Sequence, residues 1–126
     1  MILFCELPLT RWCPHIEDYE PLAWLEKILA EEPRMPAIIF MHVPPDREWD
    51  SERLAQWKDI VHRYDVQAVI CGHLHADELS LEGRMPIIAV YACTNKYGNI
   101  PSFKVYSVDK EGKISFKTHY LDRGKK

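Results

Sequence analysis

Two short apolar runs, AIIFM (37–41) and VQAVIC (66–71), each stop abruptly at a histidine-bearing loop, and a helical pattern lies between them. That order constrains the fold more than any other feature of the 126 residues. A continuous apolar run marks a strand buried on both faces, and strands joined through a helix run parallel. The first run ends at HVPPDREWD, where two prolines keep the chain from continuing as sheet. Asp50 or Ser51 caps the helix that follows, in which Leu54, Trp57, Val61 and Tyr64 fall three and four residues apart. The second run ends at GHLHADE, read as a turn.

The flanking sequence extends this pattern. MILFCELPLTRW reads as a strand followed by a loop. EDYEPLAWLEKILAEE reads as a helix, with Asp18 as its cap, Pro21 in its first turn and an apolar stripe of Leu22, Leu25, Ile28 and Leu29; PRMP ends it. After the second run, MPIIAVYA, SFKVYSVD and KISFKTHYL are strand-like, and VDKEGKI supplies a hairpin loop containing Gly112. The expected order is therefore β-α-β-α-β and then antiparallel strands, an α/β fold in one domain over residues 1–126.

Composition narrows the function. A hydrophobic fraction of 47% with 28% charged residues suits a soluble globular protein. The formal charge of −3 supplies no basic field for nucleic acid. No apolar stretch reaches the roughly 18 residues needed to span a bilayer, and the N-terminal run lacks the basic flank and small-residue cleavage site of a signal peptide. Cys5, Cys13, Cys71 and Cys93 form no CxxC pair. They read as reduced thiols of a cytoplasmic protein, with Cys71 and Cys93 behaving as small hydrophobes.

The histidines divide into two groups. His42 and His73 each follow a strand, and helical crossovers bring both loops to the carboxyl edge of the sheet, where open α/β sheets bind ligands. His73 and His75 are two apart, so in extended backbone both rings point to one side and can reach one ion or two adjacent ions. Gly72 is expected to let the backbone turn sharply and approach closely, and Pro44 and Pro45 to stiffen the loop carrying His42. By contrast His62 on a helix surface, His119 in a strand and His15 in a loop read as bystanders. Trp24, Trp49 and Trp57 read as packing residues, because no basic groove accompanies them.

AIIFMHVPP and VQAVICGHLHADE, separated by a helix, resemble the last two metal-ligand blocks of the calcineurin-like metallophosphoesterases, and the resemblance runs from about Pro21 to Val108. It implies a β-sandwich flanked by helices, of which this chain is similar to the C-terminal part. It also implies a centre of two divalent metals (Mn, Fe or Zn) that hydrolyses phosphomonoesters or phosphodiesters. By the same resemblance His42 and His73 are ligands of one metal and His75 of the other. Neutral imidazole is a good ligand for these ions, and paired metals can generate a hydroxide for in-line attack on phosphorus.

The family's N-terminal blocks, Asp-x-His, Gly-Asp-x-x-Asp and Gly-Asn-His, are not found. No aspartate here is followed two residues later by histidine, there is no Gly-Asp pair, and Gly98-Asn99 is followed by Ile100. Three neutral imidazoles leave a metal pair's charge unbalanced, so weak binding of one ion at best is expected, at His42 and His73. Asp46, Asp77 and Glu78 are nearby acids that read as solvated turn residues. An apolar edge or face is expected to be exposed, with self-association or an N-terminal-half partner chain to cover it. Whether the chain alone is an enzyme stays open beside a second reading, a non-catalytic remnant or metal-binding module. A cupin-like HxH site fits poorly, because Glu78 follows His75 after only two residues and helices precede the site. A structural zinc at Cys71, His73 and His75 lacks a second Cys/His pair.

Overall fold

The computed structural model describes residues 2–4, 20–91, 93 and 100–121. Their order is β1 (Ile2–Phe4), α1 (Pro21–Glu31), β2 (Ala37–Phe40), α2 (Pro45–Glu48), α3 (Ser51–Arg63), β3 (Val66–Cys71), β4 (Glu78–Glu82), β5 (Met85–Ala89), β6 (Ser102–Val108) and β7 (Ile114–Tyr120). Five strands form one sheet in the order β1-β2-β3-β5-β4, and β6 and β7 form a separate hairpin. The pairs β1–β2, β2–β3 and β3–β5 are parallel, while β4 runs antiparallel to β5. The expected α/β class holds.

Period-two alternation divides the core between the two faces of the sheet. On one face Ala37, Ile39, Val69 and Cys71 pack with Leu22, Leu25 and Leu29 of α1 and Trp57, Ile60 and Val61 of α3. Ile38, Ala68 and Ile70 make a second cluster on the other face, covered by Tyr106 and Ile114 of the hairpin. The helices thus share one face and the hairpin takes the other. Fully burying a side chain such as Leu25 or Leu29 stabilises by about 1.5–3 kcal/mol, so α1 is held by its stripe more than by intrinsic propensity. Trp57 is buried and meets Trp49 at 6.2 Å between ring centroids, while Trp24 lies against the same cluster; the packing role holds for all three.

Several local expectations are met and others corrected. Pro21 opens α1, but the side chain that caps it is Glu20, which accepts a hydrogen bond from Leu22 N–H at 3.1 Å; Asp18 lies outside the described residues. Asp50 caps α3 by accepting from Arg53 N–H at 2.9 Å. Between the helices, Arg53 donates to Glu20 at 3.2 Å and Arg63 to Glu26 at 2.6 Å. Burial alone would raise the Glu20 carboxyl, but the Arg53 guanidinium and the Leu22 N–H together outweigh it and hold the group below its ordinary range. Both pairs are exposed, and solvent screening leaves them little net contribution to stability.

The main correction is β4. Glu78 does not end a solvated turn but begins a strand, ELSLE, joined to β5 through Gly83 and Arg84. Gly83 stands at φ 62°, the left-handed conformation a two-residue hairpin turn asks of its first residue. Leu79 and Leu81 alternate with polar neighbours as a strand requires, yet remain 61% and 67% exposed. Edge placement hid the element: its apolar positions face solvent instead of a core.

Candidate functional site

The carboxyl ends of β2 and β3 lie side by side, with Phe40 in register with Ile70. The ladder continues past both strands. Met41 N–H donates to Ile70 O at 3.0 Å, and Gly72 N–H donates to His42 O at 2.9 Å. The two histidine loops are therefore stitched together by backbone before any side chain is considered.

Within the first loop, Met41, Val43, Pro44 and Pro45 are buried and His42 alone among them is exposed. Pro45 also opens the short helix α2, whose end is anchored by buried Trp49. The result is a packed loop presenting one imidazole to solvent.

In the second loop the backbone strain lies on the histidines themselves. His73 and His75 have φ of 63° and 51°, the left-handed region in which a side chain costs about 1–2 kcal/mol. Gly72 is not in that region, so its expected role as the turning residue is not observed. Its remaining role is room: a Cβ there would stand 3.6 Å from His42 Nδ1, ordinary contact that a larger side chain would exceed. Leu74 N–H closes onto Gly72 O at 2.7 Å, tightening the turn. Non-glycine residues in left-handed backbone concentrate at functional sites, where surrounding structure fixes them.

The rings of His42 and His73 meet edge to face, 5.2 Å between centroids and 80° between planes. His75, also exposed, follows two residues later on the same turn. The extended-backbone argument that pairs it with His73 does not hold, because both residues are left-handed.

The nearby acids are engaged with cations. Asp46 pairs with Arg47 at 3.4 Å, Arg47 also reaches Glu78 at 3.8 Å, and Asp77 pairs with Lys104 of β6. Among the described residues, no three His, Cys, Asp or Glu side chains come together in a group that could hold a metal ion. Two adjacent imidazoles fit one side of an ion. They do not fit a two-metal centre, which needs carboxylates to offset its charge.

The remaining candidates separate from this edge. Cys71 is buried at the end of β3, and burial, with the Asp46 carboxylate adding to it, pushes its thiol up to about 12. Such a thiol is a small hydrophobe, not a ligand. Cys93 departs from that reading: it is exposed, its Sγ donating to Ser102 O at 3.4 Å. His62 is exposed on α3 and bonded to Glu82 at 3.1 Å, and His119 stacks on Phe103 at 5.1 Å. His15, Cys5 and Cys13 lie outside the described residues. Among the described residues no helix is long and apolar enough to cross a membrane.

Sequence reasoning missed Lys104. It sits in a strand where Phe103 and Val105 are the apolar neighbours, so alternation points the lysine outward, yet its side chain is 2% exposed. Its partner Asp77, beside the histidine turn, and Tyr106, on the same face of the strand, are the signals that could have suggested otherwise.

No curated protein matches the chain. The family model for calcineurin-like phosphoesterases matches residues 5–77. The match spans both histidine loops and stops at Asp77, short of the strands that the sequence reading also included. Matched over more than half its length, and folded as the α/β sheet that such a match requires, the chain belongs to the calcineurin-like phosphoesterases.

Proposed function

We propose that the chain takes part in metal-dependent hydrolysis of phosphoesters by supplying His42, His73 and His75 as ligands of a divalent metal centre. The observation that carries this reading is the pairing of His42 and His73 at the carboxyl edge of two parallel strands, with ring centroids 5.2 Å apart. Manganese, iron and zinc all suit imidazole donors. The carboxylates that complete such a centre come from outside the two loops, and a second polypeptide seated on the exposed apolar strands is the proposed source.

Hydrolysis of p-nitrophenyl phosphate and bis(p-nitrophenyl) phosphate with added Mn²⁺ tests this. Activity that depends on the metal and is abolished by His73→Ala is expected. Activity that survives His42→Ala and His73→Ala alike would contradict it.

A second reading, a metal-binding module without catalysis of its own, draws on one observation. Asp46, Asp77 and Glu78 are each paired with a cation, and among the described residues they form no group of three with the imidazoles that could hold a metal. Metal binding without turnover on either substrate would favour it.

A further inference from the structure

The hairpin β6–β7 lies outside the matched family segment, and its strand β6 is set in an unexpected way. Phe103 and Val105 would make one apolar face of β6, although Lys104 shares the other face with Tyr106 and Val108. Instead Phe103 and Val105 are 42% and 49% exposed, and the Lys104 ammonium is enclosed with three partners. It donates to Asp77 Oδ1 and to Thr118 Oγ1, the latter at 2.8 Å, and it stands 4.9 Å from the Phe116 ring centroid. A slip of one residue in register would exchange the two faces of the strand. The observed register packs Tyr106 against Ile38, Ala68 and Ile70 and takes Lys104 inside on the same face.

The lysine thereby reaches the end of the histidine turn. Asp77 follows His75 by two residues and immediately precedes β4. The intervening turn carries both left-handed histidines, a conformation that persists only where neighbouring structure imposes it. One end of the turn is fixed by the bond from Gly72 N–H to His42 O. The other end is fixed by Asp77 on Lys104.

We propose that Lys104 is a positioning residue that, through Asp77, holds the His73–His75 turn in the conformation that presents its imidazoles. The inference rests on the reading of these histidines as metal ligands, but its first readout does not depend on metal. Lys104→Met keeps an unbranched apolar side chain of similar length and removes the charge. Asp77→Asn, at a partly exposed position, removes the same ion pair from the other side.

Amide hydrogen exchange of the full chain, followed residue by residue, is the test. In either variant, amides of residues 73–77 should exchange about tenfold or more faster, while those of β3 and α3 keep their wild-type rates. The double variant should add little to either single one, because both remove one contact. Side-chain ¹⁵N resonances of His73 and His75 should shift while those of His62 stay. Where wild type binds Mn²⁺, its affinity should fall by about tenfold or more in both variants, the usual cost of losing an outer-shell partner. Unchanged exchange at 73–77, or an increase spread evenly over β3 and α3, would overturn the proposal. Absence of Mn²⁺ binding in wild type would instead overturn the ligand reading and leave the positioning role to the exchange data.

Discussion

The imidazole of His73 stands edge to face with that of His42, 5.2 Å between centroids, although the two residues come from separate loops. The pairing follows from chain topology. Parallel β2 and β3 place both loops at one edge, and the bond from Gly72 N–H to His42 O fixes their relative height.

Holding His73 there requires backbone that favours glycine. At φ 63°, a glycine should be more stable than an alanine, reversing the usual order. His73→Gly is expected to be about 1 kcal/mol more stable than His73→Ala, both lacking the imidazole. Urea denaturation of the two variants measures the difference. Equal midpoints would mean the turn relaxes once the ring is gone.

Gly112, in the loop between β6 and β7, combines φ 85° with a close neighbour. A Cβ there would fall 2.3 Å from Pro36 Cβ, inside any real contact distance. Gly112→Ala should therefore cost about 2–5 kcal/mol, the sum of left-handed strain and overpacking. Loss of less than about 1 kcal/mol in a urea titration would show that the loop can move off Pro36 freely.

Much of this was legible in the sequence. The elements β2, α3 and β3 stand out because each has one strong period and a clear boundary: Pro44 after the first, Asp50 as cap, Gly72 after the last. The position of His42 and His73 followed from topology alone. β4 was missed because Leu79 and Leu81 lie at an edge without a core to explain them. The facing of β6 was not legible either, since both of its faces carry apolar residues and the partner of Lys104, Asp77, is 27 residues away. Nor does residue type reveal that the turn bends at two histidines while Gly72 keeps ordinary backbone.

Alkaline pH should destabilise the fold through a buried thiol and a partly buried phenol. Burial, reinforced by Asp46, pushes the Cys71 thiol up to about 12, whereas an unfolded thiol ionises near pH 8.5. Between those values the unfolded chain has lost a proton that the folded chain retains. Stability is complete below about pH 8.5 and falls as pH rises toward 12. Tyr106 acts with the same sign from about pH 10, its hydroxyl raised to about 12 by burial and then by Asp77 and Cys71. Urea midpoints between about pH 8 and pH 10.5 should decline, and less steeply in Cys71→Ala. Identical slopes in the two proteins would remove Cys71 from the account.

Exposed apolar strands predict association. Leu79 and Leu81 on β4, with Val108, Phe116 and Tyr120 on the hairpin, all lie open to solvent. Such strands template pairing with another chain. Light scattering after size exclusion should give a mass above the monomer, reduced when Leu79 and Leu81 are both changed to lysine. A monomer mass over a wide concentration range would end the idea.

The most direct test is metal content per chain, measured by elemental analysis after dialysis against Mn²⁺ and, separately, Zn²⁺. Half a ligand set predicts no more than one ion per chain in wild type and none in His73→Ala. An ion held equally well by wild type and His73→Ala would contradict the assignment of this edge as a metal site.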